Sequence, residues 1–243
     1  MPSTSETGHA KNVTHFEQLI SFCTGYGGNY NPSKATLIIS NLTNIHLTAQ
    51  SELQNVINTT VDYNNFVNTR AITFDPIRKL STRLVNAFSV TDATDEMIKD
   101  AKTINRKIQG KRAKEITTPV DPNTPAPNTI STSQQSYDQL IEHFAKLVAL
   151  LKSEPSYAPN ESDLRIVALE ALLDQLRADN TNVMNAYTTV SNARISRDLT
   201  LYQVKTGLVP TALDVKGYIK SIYGATSDQY KQVSKLAFKI IKK

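Results

Sequence analysis

Two sets of similar residues follow the same order along this chain, and this apparent repeat constrains the fold more than any other feature. The matching blocks are 16–20 with 137–141, 30–32 with 157–159, 70–74 with 197–201, and 93–108 with 225–240. The last pair aligns without a gap over its whole length. Four blocks in one order predict an internal duplication, in which each copy adopts the same set of elements.

The boundaries of the two predicted copies follow from composition and from the matched blocks. Residues 1–12 are polar and are predicted to form a disordered tail. The first helical unit spans 13–110 and the second, its duplicate, spans 136–243. Between them, 111–135 is rich in Pro and Thr and is predicted to be a semi-extended linker. Each copy is expected to contain a short helix, a long helix and a terminal pair of helices.

Apolar residues recur every three or four positions along each predicted long helix, a spacing typical of one buried helical face. In the first copy this seam comprises Ile38, Leu42, Ile45, Ala49, Leu53, Val56, Thr60, Tyr63 and Val67. In the second copy it comprises Ile166, Leu169, Leu173, Leu176, Asn180, Val183, Tyr187 and Val190. Asn180 either sets the register of the seam from inside it or turns toward solvent at a defect.

The chain is 40% hydrophobic and has no Trp, which suits a slender bundle in which each helix buries only a stripe. We therefore predict an all-α, internally duplicated, elongated helical bundle. The short helix is expected over 13–24, and the long helix is expected to begin near Pro32. The last helices of the two copies are expected over 95–108 and 227–241. The two long helices either pack along their seams or belong to independently folded copies.

Few residues have the types and spacings that catalysis or metal binding requires. Cys23 is the only cysteine and falls on the apolar face of the first helix, where a structural role is expected. The histidines lack carboxylate or cysteine neighbours at metal-ligand spacing. The Gly-rich loop at 25–28 follows a helix, whereas a phosphate-binding loop follows a strand. No catalytic, cofactor-binding or metal-binding residue is therefore predicted.

Basic residues crowd the end of each predicted copy and form the one candidate binding site. The candidate contacts for an anion or a nucleic acid are Lys99, Lys102, Arg106, Lys107, Lys111, Arg112, Lys231, Lys235, Lys239, Lys242 and Lys243. Lysines at this density favour non-specific phosphate binding over base recognition. The alternative is a solvated face that places cations near helix C-termini. The matched residues Arg70 and Arg197 are expected to cap helix ends, or else to bind a shared anionic partner.

Several short stretches resemble a known group of proteins. They are residues 24–27 and 30–33, the basic run 101–112, and 223–227. These stretches resemble an uncharacterised helical protein family of Bacteroidetes bacteria. The resemblance extends over nearly the whole chain. That family has no assigned activity, so the resemblance implies an origin and no site residues.

These observations favour a non-enzymatic scaffold or protein-interaction protein without a cofactor. A protein partner or self-association is expected, nucleic acid is the alternative partner, and no small-molecule substrate is identified. The first residues lack the apolar segment of a secretory signal, and no stretch is apolar enough over a sufficient length to cross a bilayer. The predicted location is therefore the cytoplasm.

Overall fold

The structure is a computed structural model that describes residues 8–111 and 135–241. Within these ranges it is all-helical and contains no β-strand, which confirms the predicted all-α class. The helices are α1 (His9–Gly25), α2 (Ile39–Phe74), α3 (Ile77–Phe88), α4 (Asp95–Ile108), α5 (Tyr137–Lys152), α6 (Ile166–Tyr202), α7 (Leu208–Tyr223) and α8 (Asp228–Ser234). Three short 3₁₀ turns cover Gly27–Asn29, Ala35–Leu37 and Ser162–Leu164.

The described residues form two compact units, and each unit draws on both halves of the chain. The terminal unit contains 8–63 and 186–241, and the central unit contains 64–111 and 135–185. The long helices α2 and α6 contribute residues to both. These units therefore do not coincide with the predicted copies at 13–110 and 136–243. A repeating pattern shows which helix face is apolar but not which neighbour covers that face.

The core of the central unit lies where α3, α4 and α5 pack against one another. Its fully buried side chains include Phe88, Ile108 and Phe144 from these helices and Leu176 from α6. The start of α4 is stabilised by a side-chain cap, because the hydroxyl of Thr94 accepts a hydrogen bond from the backbone N–H of Met97. Burial of these apolar side chains is the main force that stabilises the unit.

The terminal unit packs α1 and α8 against α7, with the first part of α2 and the last part of α6 completing its core. The side chains of Phe16, Leu42 and Ile219 are fully buried there. Residues 235–241 follow α8 without forming a helix, and we call this segment the strap. Leu236 of the strap is 6% exposed and belongs to the same core.

Both long helices begin after a matching buried tyrosine. The hydroxyl of Tyr30 donates to the carbonyl of Leu37 at 2.7 Å, and that of Tyr157 donates to the carbonyl of Leu164 at 2.9 Å. In each case a 3₁₀ turn ends at the accepting leucine, and the long helix begins two residues later. The prediction that the first long helix begins near Pro32 is therefore wrong, because α2 begins at Ile39.

Two other predicted boundaries also differ from the structure. Helix α1 begins at His9, so residues 9–12 of the predicted tail are helical, and Asn12 is buried. The last helix was expected to continue to 241, but α8 ends at Ser234. Side chains from α1 and α7 bond the backbone of the strap and replace the hydrogen bonds that a longer helix would have made.

None of the helices in the described ranges combines the length and the apolar character that a bilayer-spanning segment requires. The longest, α2 and α6, are instead amphipathic or polar along much of their surfaces.

Candidate functional site

The structure places the predicted basic residues in two separate groups. Lys99, Lys102, Arg106 and Lys107 lie on α4, and Lys111 follows it, all in the central unit. Lys231 lies on α8, and Lys235 and Lys239 lie on the strap, all in the terminal unit. The remaining predicted contacts, Arg112, Lys242 and Lys243, lie outside the described residues.

The cations of α4 form a row along one helix face. Lys99, Lys102 and Arg106 are spaced three and four residues apart, which places them on one side of the helix. Both lysines are exposed, and Arg106 is half-buried. In the described part of the chain, none of these three has a carboxylate oxygen within 4.0 Å of its nitrogens. No ion pair with another described residue therefore neutralises the positive charge of this row, which we call the α4 row.

The basic residues of the terminal unit are arranged differently. Lys231 pairs with Asp228 at 3.1 Å, an exposed pair within one helix. Lys239 is exposed, but its backbone is held by Asn12. This group therefore does not form a row comparable to that on α4.

The strap is bound by side chains from α1 and α7 that recognise its backbone. The amide nitrogen of Asn12 donates to the carbonyl of Lys239 at 2.7 Å, and the N–H of Lys239 donates to Oδ1 of Asn12 at 3.0 Å. His15 Nδ1 donates to the carbonyl of Ala237 at 2.8 Å. Lys216 Nζ donates to the carbonyl of Leu236 at 2.8 Å. These contacts are not predictable from the sequence, because Asn12 and Lys239 are 227 positions apart.

A second set of polar contacts lies around the buried Asn180 in the central unit, with half-buried Arg70 and exposed Asp138 as its partners. Arg70 Nη1 donates to Oδ1 of Asn180 at 2.9 Å, and Nδ2 of Asn180 donates to Oδ1 of Asp138 at 2.7 Å. The Arg70 guanidinium also lies over the ring of Tyr137, with its central carbon 3.9 Å from the ring centroid. Asn180 is 6% exposed. Of the two positions considered from the sequence, it therefore lies inside the seam and does not turn toward solvent.

The matched arginines do not have the same partner, and neither partner is a helix-end carbonyl. Arg70 donates to Asn180, whereas Nε and Nη2 of Arg197 donate to the carboxylate of Asp198 at 2.9 and 2.7 Å. The expected helix-capping role is therefore replaced by side-chain contacts in both cases. Each arginine is largely withdrawn from solvent, so neither presents a free guanidinium for a shared anion.

Cys23 is fully buried in the core of the terminal unit and forms no disulfide. Burial raises the pKa of its thiol to about 12, because the thiolate would lose its hydration. The thiol is therefore protonated at neutral pH and behaves as a small apolar side chain, in agreement with the structural role inferred from the sequence.

A shallow groove of about 340 Å³ lies between α2 and α6 within the terminal unit. Its lining consists of Asn44, Ile45, Thr48, Ser196, Leu199, Thr200, Gln203 and Thr206. These are hydroxyl, amide and aliphatic side chains, and the lining carries no ionisable group. The Ser196 hydroxyl already donates to Oε1 of Glu52 at 2.9 Å. The groove therefore offers hydrogen-bonding surface without an acid or a base.

His143 is a buried titratable group of the central unit. It is 2% exposed on α5, and neither Nδ1 nor Nε2 has a hydrogen-bond partner among the described residues. Burial lowers its pKa, and the charges of Lys107 and Lys146 lower it further, while Glu142 acts in the opposite direction. The imidazole is therefore neutral in the folded protein at neutral pH.

We expect stability to fall on acidification because of His143. In the unfolded chain this histidine binds a proton below its ordinary pKa of about 6.5, whereas the folded protein resists protonation. The unfolded state therefore binds more protons, and the free energy of unfolding decreases as the pH falls through this range. Urea unfolding at several pH values between 5 and 8 measures the effect. His143→Leu should flatten this dependence, and a variant whose curve runs parallel to that of the unmodified protein would contradict the assignment.

No known protein family, curated protein or solved structure matches this chain. The resemblance to a bacterial helical family therefore stays a prediction from the sequence.

Proposed function

We propose that the chain is a non-enzymatic helical scaffold protein that associates through exposed apolar ridges on its long helices. Two such ridges lie in the terminal unit. Ile57 and Val61 are 56% and 51% exposed on α2, and Ile195 and Leu199 are 51% and 54% exposed on α6. Each pair is spaced four residues apart, so its side chains are neighbours on one helix face.

The proposal rests on these exposed ridges. Aliphatic side chains four residues apart form the rows that pack into the grooves of another helix. Covering a half-exposed isoleucine or leucine contributes roughly 1 kcal/mol, from about 25 cal/mol per Å² of buried apolar surface. Two ridges on one unit supply several such contacts. A second copy of the chain presents the same ridges, so self-association is the form of the proposal that we commit to.

Self-association is tested by measuring molar mass with light scattering over a wide range of protein concentrations. The variants Ile57→Lys with Val61→Lys, and Ile195→Lys with Leu199→Lys, should shift the protein toward the monomer. Val90→Lys is a single-substitution control at an apolar side chain that is 84% exposed and lies outside both ridges. A protein that stays monomeric at every concentration would overturn self-association, and equal effects of all three variants would overturn the role of the ridges.

The α4 row supports a second candidate function, which is non-specific binding to a nucleic-acid backbone. Lys99, Lys102 and Arg106 present three cations along one helix face without ion-pair partners among the described residues. Contacts of this kind release counterions from DNA, so the affinity falls as salt concentration rises. The lysines of the strap and α8 are the second group of contacts in this candidate.

Replacing all three residues of the α4 row with Gln should weaken DNA binding and flatten its dependence on salt, by about 0.9 in the logarithmic slope for each lost phosphate contact. The matched control replaces Lys146, Lys152 and Arg177 with Gln. It removes the same charge, but from side chains already paired with Glu142, Glu170 and Asp174. The second basic group is tested by replacing Lys235, Lys239, Lys242 and Lys243 with Gln. If the unmodified protein does not bind DNA or RNA at low salt, this candidate fails.

We also propose that the two halves of the chain arose by internal duplication. The buried tyrosine bonded to the carbonyl of a leucine, the 3₁₀ turn and the long helix occur in the same order after Tyr30 and after Tyr157. Two shorter helices then follow each long helix. The halves differ at their ends, because α4 has 14 residues and α8 has 7. An experimental structure in which 32–108 and 159–240 fail to superpose would contradict the duplication.

A further inference from the structure

The strap is held as a bound peptide would be held. Exposure alternates along it, since Leu236 is buried, Ala237 exposed, Phe238 half-buried and Lys239 exposed. This alternation is typical of an extended segment, in which successive side chains point to opposite sides. The residues that face inward are therefore Leu236 and Phe238, with one residue between them.

The contacts to the strap are directed mainly at its backbone. Asn12 bonds both the N–H and the carbonyl of Lys239, the pair of bonds that a neighbouring strand would make. His15 and Lys216 each donate to a further backbone carbonyl. A site that bonds the backbone can bind peptides of many sequences, because every residue has a carbonyl and every residue except proline has an N–H.

One side chain of the strap adds specificity. The ring of Phe238 packs at 78° to the ring of His15, with the centroids 6.1 Å apart. Lys216 Nζ lies 5.6 Å from the centroid of the same ring. An aromatic residue at this position therefore meets an aromatic edge and a cation, both of which favour a ring over an aliphatic side chain.

The last part of the strap buries little apolar surface. Ala237 and Lys239 are exposed, and Ile240 is 56% exposed. Only Leu236 belongs to the buried core of the terminal unit. Detaching 237–241 therefore costs the packing of the half-buried Phe238 ring and the backbone hydrogen bonds, each of which is worth about 1 kcal/mol net because water replaces it. The contacts are specific enough to hold a peptide and weak enough to release it.

We propose that the surface formed by Asn12, His15 and Lys216 is a binding site for an extended peptide of a partner protein, and that the strap occupies this site until such a peptide displaces it. The partner segment carries an aromatic residue in the place of Phe238, followed by a residue other than proline. This inference rests on the proposed interaction function and gives it a specific site. The strap acts as an intramolecular competitor that lowers the apparent affinity for the partner.

The test uses a fluorescein-labelled synthetic peptide with the sequence of residues 234–241 and the full-length chain. A variant of the chain combines Phe238→Ala with Lys239→Pro. It lacks the aromatic ring and the backbone N–H that donates to Asn12, and it retains Leu236. Fluorescence anisotropy should show that this variant binds the peptide at least tenfold more tightly than the unmodified chain. The same peptide carrying the two substitutions should not bind. Adding Asn12→Ala to the variant should abolish binding of the unsubstituted peptide.

A second measurement uses the unmodified chain and does not depend on the folding of a variant. Excess peptide should accelerate hydrogen exchange of the amides in 237–241, because the displaced strap loses its bonds to Asn12. Unchanged exchange at millimolar peptide, or peptide binding that is insensitive to Asn12→Ala, would overturn the inference. Binding of the peptide by a strictly monomeric protein would support the peptide site while overturning self-association, so the two proposals fail separately.

Discussion

Leu176→Asp is expected to destabilise the protein more than any other single substitution considered. Leu176 is fully buried in the core of the central unit. The substitution removes its packing and places a carboxylate where the described neighbours are apolar, so the charge is either poorly solvated or neutralised by protonation. We expect a loss of about 4 kcal/mol or more in the free energy of unfolding, comparable to the total stability of many domains. Urea unfolding followed by circular dichroism measures it.

Two further substitutions to Asp serve as controls for Leu176. Leu53 occupies the seam of α2 but is only partly buried, so Leu53→Asp should cost less, roughly 1 to 2 kcal/mol. Val167 lies on α6 like Leu176 but is 79% exposed, so Val167→Asp should change stability by about 0.5 kcal/mol or less. Equal losses at Leu176 and Val167 would show that the buried face of α6 has been assigned wrongly.

Asn180→Leu is expected to have the second largest effect, a loss of roughly 2 to 4 kcal/mol. Leucine has a similar size but removes the acceptor of Arg70 and the donor to Asp138 at once. The Nε atom of Arg70 is already buried without a partner, so the guanidinium has no alternative bond nearby. Asp138 is exposed and water replaces its lost bond, whereas the half-buried Arg70 guanidinium is left without its acceptor. We expect that penalty to exceed the gain from the added apolar surface. Urea unfolding of the variant at neutral pH gives the loss.

The control for this prediction is Asn55→Leu, because Asn55 is an exposed residue in the middle of α2. Leucine has a higher helix propensity than asparagine, so this control should be neutral or slightly stabilising. A double-mutant cycle with Arg70→Met isolates the pair. If the interaction between Arg70 and Asn180 stabilises the unit, the double variant should lose less than the sum of the single losses. Strict additivity would contradict the network.

The sequence predicted those elements whose signals are local. Helix α4 occupies Asp95–Ile108, the range predicted for it, because a threonine cap and an amphipathic pattern mark its start and its face within a few residues. The buried face of α6 was largely predicted from the spacing of the seam, since Leu169, Leu173 and Leu176 are buried. The prediction was wrong at Tyr187, which is 60% exposed.

Features that depend on distant residues were not predicted. The apolar spacing of Val233, Leu236 and Ile240 favours a helix, yet the chain leaves the helix at Ser234. The reason lies in Asn12 and Lys216, whose bonds to the strap appear only when the fold brings them together. Local patterns report the preferences of a segment, and tertiary contacts override them when they satisfy its backbone better.

The candidate basic residues could be predicted from the sequence, because they are clustered along the chain. Which of them lack carboxylate partners was not predictable. Lys231 pairs with Asp228, whereas Lys99 and Lys102 have no such partner among the described residues. Spacing along a helix places charges on a common face, but rotamers and neighbouring elements decide which charges are compensated.

The ribosome makes the residues of the two compact units in a different order. The central unit comes from one stretch between residues 64 and 185, whereas the terminal unit joins 8–63 with 186–241. During translation residues 8–63 emerge before the central unit, yet their partners in 186–241 are made after it. The apolar surfaces of Phe16 and Leu19 are therefore not covered by their partners until residues beyond 186 have left the ribosomal exit tunnel. A chaperone that shields α1 during this interval would protect the nascent chain from aggregation. A central unit that has already folded would bring 8–63 and 186–241 together with a smaller loss of chain entropy.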